Sequence, residues 1–80
     1  MEIKILGGGC PKCERLEKLA RQVADGMGLD ATFIKVKDMQ EILAYDVIST
    51  PALVINEEVK MSGSVPREEE IRSWLEAASE

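Results

Sequence analysis

Cys10-Pro11-Lys12-Cys13 is where this 80-residue chain concentrates reactive chemistry. Two thiols at this spacing can close to a disulfide or hold a soft metal ion together, and in both cases the thiolate is the working species. The segment follows a short apolar run, Ile3, Ile5 and Leu6, and three glycines, Gly7-Gly8-Gly9; a long stretch of helical periodicity comes after it. It therefore falls in a turn between a strand and a helix. The unpaired N–H groups and dipole of a helix start stabilise an anion placed there. Cys10, at the cap position, is accordingly the expected nucleophile, and Lys12 adds positive charge nearby. Cys13, about one helical turn on, can reach Cys10 without backbone rearrangement. It is the expected buried thiol, the one that resolves an exchange.

Competing chemistries are narrowed by what the chain lacks. A mononuclear zinc site needs four ligands, and the sequence has two cysteines and no histidine. Redox exchange is therefore favoured over zinc. A Cu(I) ion or another thiophilic metal needs fewer ligands, so a metal carrier using both thiolates is the alternative function. A pair of inert core thiols is opposed by the glycine run and the intervening proline. The missing histidine also removes Ser-His and Cys-His catalysis. Disulfide exchange by Cys10 and Cys13 needs no bound cofactor, and none is expected.

Charge and hydropathy restrict partners and location. Ten basic against fifteen acidic side chains leave a net charge of −5, which argues against general affinity for nucleic acid or anionic lipid. No apolar run approaches the roughly 18 residues of a membrane span. Met1-Glu2-Ile3-Lys4-Ile5-Leu6 lacks the cationic and then apolar stretches of a signal peptide, so a cytoplasmic location is expected. There a cysteine pair is more often catalytic or metal-binding than structural.

The elements that must hold the cysteines are readable from periodicity. Leu16, Leu19, Ala20, Val23, Ala24 and Met27 recur at helical spacing, opposite Glu14, Arg15, Glu17, Lys18, Arg21 and Gln22, with Gly26 and Gly28 as the stop. Ala31–Val36 has strand composition. Asp38 and Glu41 resemble a capping box opening a short helix through Ile42 and Leu43, as far as Tyr45 at most. Ala52–Ile55 reads as a central strand, Asn56-Glu57-Glu58 as a turn, and Val59–Ser62 as an antiparallel partner. Pro66 is expected to start a last helix with Glu68, Glu69 and Glu70 in its first turn and Ile71, Trp74, Leu75 and Ala78 as its buried stripe. Tyr45 either covers the core or flanks the site. The glycine run lacks phosphate-loop spacing and reads as a flexible approach to the cysteines. The order β-α-β-α-β-β-α implies one α/β domain over residues 1–80, with a four-stranded mixed sheet flanked by three helices.

Thr50-Pro51, just before the central strand, is the second informative pair. A cis bond there would make a tight turn and leave backbone groups free for an extended peptide, whereas a trans proline would simply end a loop.

Taken together, the C-x-x-C between first strand and first helix, the Thr50-Pro51 before the penultimate strand and the glycine after the last strand resemble the thioredoxin-like superfamily. The variant Gly-Cys-Pro-Lys-Cys with Ser49-Thr50-Pro51-Ala52-Leu53-Val54-Ile55-Asn56 is similar to the small thioredoxin- or glutaredoxin-like redox-active disulfide proteins, over essentially Ile3 to Leu75. The resemblance implies that Cys10 attacks, Cys13 resolves, and Pro51 is a cis-proline facing the disulfide. It implies that Thr50 offers its backbone to substrate, with Pro11 and Lys12 completing the substrate-binding surface. Gly9 stands where thioredoxin proper has Trp, and Lys12 where glutaredoxins usually carry an aromatic. Ser62-Gly63-Ser64-Val65-Pro66 provides no clear equivalent of the element that holds glutathione, which weighs against glutathione as a partner. The expected partners are protein disulfides as substrates and a thioredoxin-reductase-type flavoprotein as electron donor, with the chain acting as a monomer.

Overall fold

The computed structural model describes residues 1–7, 10–47 and 49–79. Within them the elements follow the expected order: β1 (Glu2–Leu6), α1 (Pro11–Gly26), β2 (Thr32–Val36), α2 (Met39–Ala44), β3 (Ala52–Ile55), β4 (Glu58–Ser62) and α3 (Glu68–Ala78). The strands form one four-stranded sheet in the order β2-β1-β3-β4. β1 runs parallel to β2 and antiparallel to β3, and β3 antiparallel to β4. This is the expected α/β architecture. A parallel pair requires a crossover, which α1 supplies, whereas antiparallel β3 and β4 need only a tight turn.

Alternation along the strands assigns the two faces of the sheet. Ile3 and Ile5 of β1, with Leu53 and Ile55 of β3, bury against Leu16, Ala20, Val23 and Ala24 of α1 and Ile71 and Leu75 of α3. Leu6, Val36, Ala52 and Val54 bury on the other face beneath Ile42 of α2 and Val47. All four residues of β3 are buried, because it is an inner strand covered on both faces. That double cover is why the sequence there is a continuous apolar run.

Chain ends of helices are set by local chemistry. α1 stops in a Schellman arrangement: Leu29 N–H donates to Ala24 O at 3.0 Å and Gly28 N–H to Asp25 O at 3.1 Å, with Gly28 at φ +69°. At the start of α2 the Asp38 carboxylate accepts the Gln40 N–H at 2.9 Å. α2 ends at Ala44, and Tyr45 is its C-cap.

Several details differ from the sequence reading. Pro66, the expected first residue of the last helix, lies outside it: α3 begins at Glu68 after the N-cap Arg67, whose N–H donates to the Glu70 carboxylate at 3.2 Å. Glu58 belongs to β4, paired with Ile55, so the turn is Asn56-Glu57 alone, with φ of 49° and 69°. Two consecutive positive φ values suit the twist of a two-residue hairpin. Trp74 and Ala78 are half-buried at the margin of the α1–α3 core. Tyr45 covers the core beneath α2, and its hydroxyl accepts from Lys4 Nζ at 2.6 Å and donates to Glu57 Oε2 at 2.9 Å.

Candidate active site

The site is assembled where β1 hands the chain to α1. Cys10, at φ −107° and ψ 151°, is the extended N-cap of α1, and its Sγ accepts the Cys13 N–H at 3.1 Å. The carbonyl of Cys10 accepts the Glu14 N–H at 3.1 Å and so opens the helical ladder. Pro11 occupies the first helical position, where its missing N–H leaves nothing unsatisfied. Cys10 and Cys13 are joined as a disulfide with Cα atoms 5.2 Å apart. That separation lies in the ordinary range for a disulfide and is set by one turn of helix. Cys10 is half-buried, whereas Cys13 is only 4% exposed. Pro11 and Lys12 are exposed on the first turn.

The second half of the site comes from the segment before β3. The Thr50-Pro51 bond is cis. Pro51 is buried and Thr50 exposed, and the Pro51 carbonyl accepts the Gly63 N–H at 2.8 Å, tying this loop to the end of β4. Gly7 brings the two halves together. A methyl group on Gly7 would lie 2.9 Å from Thr50 Cβ and 3.1 Å from Cys13 Sγ, and its φ is +104°. Gly7 is therefore a close-packed contact between the Cys13 sulfur and the Thr50-Pro51 loop, where the sequence suggests a flexible approach. Gly8 and Gly9, also part of that expectation, lie outside the described residues.

A cleft of about 120 Å³ opens beside Cys13, lined by Ile5, Gly7, Glu14, Glu17, Lys35 and Lys37. Glu17 is held there from two sides, by Lys35 Nζ on Oε1 at 2.9 Å and by Arg21 on Oε2 at 3.1 Å. The Lys35 hydrogen bond outweighs partial burial and, with help from Arg21, keeps the Glu17 carboxyl below its usual range. Lys35 and Lys37 escape a reading of the sequence. Their place follows from the register that sets Lys35 opposite Ile5 in the parallel pair, and from the bond of Gly7 N–H to Val36 O at 2.8 Å, which brings Lys37 beside Gly7.

The metal-carrier alternative gains no support. Such carriers are expected to end in a strand, and this chain places α3 there. Among the described residues no group of three or more cysteine or carboxylate side chains is arranged to hold a metal ion. Among the same residues, no helix is long and apolar enough to cross a membrane.

Comparison with known proteins agrees with the geometry. A family model described as a thioredoxin domain matches residues 1–76. A thioredoxin of Methanothermobacter thermautotrophicus is 41% identical over 75 residues, covering 94% of this chain and 97% of that protein. A thioredoxin of Methanocaldococcus jannaschii is 33% identical over 75 residues, covering 94% and 86% of the two chains. A probable thioredoxin of Archaeoglobus fulgidus is 36% identical over 69 residues, covering 82% and 75%. A cysteine pair at a helix start, closed as a disulfide in a chain with these relatives, performs thiol–disulfide exchange. The chain belongs to the thioredoxin domain family and is a protein-disulfide oxidoreductase.

Proposed function

We propose that Cys10 is the attacking cysteine and Cys13 the resolving one in the reduction of protein disulfides. The reduced Cys10 thiolate attacks a substrate disulfide and forms a mixed disulfide, releasing the other substrate sulfur as a thiolate. Cys13 then displaces the remaining substrate sulfur and leaves the Cys10–Cys13 disulfide. The observation that carries this assignment is the asymmetry of the pair: the half-buried Cys10 sulfur caps α1, while Cys13 is almost fully buried. A helix start favours the anion, and exposure gives it access. Pro11, Lys12 and Thr50 form the exposed part of the substrate-binding surface, with Pro51 buried next to Thr50; exposed Thr50 presents backbone to an extended peptide, in the manner of an added strand.

On this reading residues 1–80 work as a single monomeric domain in the cytoplasm. A thioredoxin-reductase-type flavoprotein recycles the disulfide in preference to glutathione, because Ser62-Gly63-Ser64-Val65-Pro66 offers no element for holding glutathione.

The assignment is tested by trapping. With a small disulfide-bonded protein as substrate, Cys13→Ser is expected to accumulate a covalent mixed disulfide through Cys10, resolved by mass after non-reducing separation. Cys10→Ser should accumulate none on the same timescale. Trapping through Cys13 in the C10S protein, with none through Cys10 in C13S, would reverse the two roles, and equal trapping would remove the distinction between them. Coupled assays with a flavoprotein reductase or with glutathione and its reductase decide the donor, the first being expected to sustain faster turnover.

A further inference from the structure

The resolving step needs a thiolate at a buried position. Burial disfavours the charged form of a thiol, and the chain has no histidine to accept the proton. What faces Cys13 instead is the cleft, with Glu14 and Glu17 on the α1 side and Lys35 and Lys37 on the β2 side. Lys12 is exposed on the first turn and is not among the lining residues. Lys35 is engaged by Glu17, which Arg21 also holds. Lys37 has no carboxylate partner among the described residues. Its backbone follows Val36, whose carbonyl is bonded to Gly7, and Gly7 in turn lies against the Cys13 sulfur.

We propose that Lys37 is a positioning residue for the resolving step, its ammonium favouring the Cys13 thiolate across the cleft while Glu17 moderates the field by engaging Lys35. The inference rests on Cys13 being the resolving cysteine. In the mixed disulfide Cys13 is a thiol and Cys10 is bonded to a substrate sulfur. Cys13 gives its proton to water in the cleft, which has room for several molecules and opens to solvent. The thiolate electron pair forms the Cys10–Cys13 bond. The bond from Cys10 to substrate breaks with its pair on the substrate sulfur, which takes a proton from solvent. Two electrons have then passed from the cysteine pair to the substrate.

Glu17 is not the proton acceptor in this scheme. Both of its oxygens are engaged, and Lys35 and Arg21 hold its carboxyl below the usual range, so it is a poor base toward a thiol of ordinary pKa about 8.5. Removing its charge unmasks Lys35. The two groups therefore act on Cys13 with opposite signs, which a merely structural role would not produce.

The test uses the Cys10→Ser chain, in which Cys13 is the lone thiol, and follows thiolate absorbance or alkylation rate against pH. Lys37→Met is expected to raise the Cys13 midpoint and cut its thiolate fraction at neutral pH by about threefold to tenfold, the scale of one lost neighbouring charge. Lys37→Arg should restore it, and Glu17→Gln should lower the midpoint. In the otherwise unaltered chain, K37M should slow decay of the mixed disulfide by the same factor and leave its formation by Cys10 nearly unchanged. A Cys13 midpoint indifferent to residue 37, or one raised by E17Q, would overturn the proposal; the second result would mean that Glu17 favours the Cys13 thiolate instead of opposing it. Failure of the unaltered protein to cycle between dithiol and disulfide would instead remove the roles of the cysteines themselves. The two failures are thus separable.

Discussion

At Gly7 the missing Cβ is what allows Cys13 and Thr50 to meet. With φ at +104° and two neighbours inside 3.2 Å of where a methyl would sit, alanine there must shift both the backbone and the site. Backbone strain and overpacking of this kind cost roughly 1–3 kcal/mol each when neighbours cannot relax. Gly7→Ala is therefore expected to lose about 2 kcal/mol in denaturant unfolding of the oxidised protein. It should also slow the resolving step more than the attack, because Cys13 Sγ is displaced while Cys10 keeps its cap. Unfolding within about 0.5 kcal/mol of the parent would mean that Thr50 and Cys13 yield freely, and that Gly7 positions nothing. The chemistry of Cys10 and Cys13 was visible in the sequence because a C-x-x-C at a helix start carries its own geometry. Gly7 was not, since its constraint comes from Thr50, which is far along the chain.

At the scale of elements, the same contrast separates what one segment encodes from what two must agree on. α1 is legible because its apolar stripe, its cap and its stop lie within one continuous stretch. Its stop also yields a paired prediction. Neither Gly26 nor Gly28 has a neighbour within 4 Å of a built Cβ, so substitution there tests the backbone alone. Gly26 is the last residue of α1 and its φ is not in the left-handed region, whereas Gly28 sits at φ +69°. Gly26→Ala is expected to raise stability by about 0.5 kcal/mol, and Gly28→Ala to lower it by about 1 kcal/mol. Thermal melts of the two variants should move in opposite directions; a common direction would contradict the Schellman ending. The start of α3 differs from the expected one because a proline fits both just inside and just before a helix, and the bond from Arg67 N–H to Glu70 decides between them. Lys35 and Lys37 could not be placed beside Cys13 from sequence, because the register of β2 against β1 is decided by packing between distant segments.

For the whole molecule, the absent histidine sets the response to pH. With both thiols bonded, no side chain of the oxidised protein has an ordinary pKa between about 5 and 8. The perturbed groups move outward from that window. Glu57 is held low by its hydrogen bond from Lys4 and then by Tyr45, Glu17 is held low by Lys35, and Lys4 is pushed up by Glu57 and Tyr45. The carboxylates contribute stability that is present above about 4.3 and lost as pH falls through their lowered values. The Lys4 contribution is complete below about 10.4 and lost as pH rises through its raised value. Between these limits the oxidised form should have a flat stability profile. Reduction changes that, because the Cys10 sulfur then sits at the positive end of α1 as a titrating group. A thiol lowered by the helix start contributes stability above about 8.5, its unfolded value, and loses it as pH falls through the folded value. Each unit of lowering is worth about 1.4 kcal/mol. Urea unfolding of reduced Cys13→Ser, which leaves Cys10 as the only thiol, is therefore expected to show stability rising with pH up to about pH 8.5 while the oxidised parent stays level. A level profile for the reduced variant would mean that capping α1 does not favour the Cys10 thiolate, and the attacking power of Cys10 would then need a source other than the helix it caps.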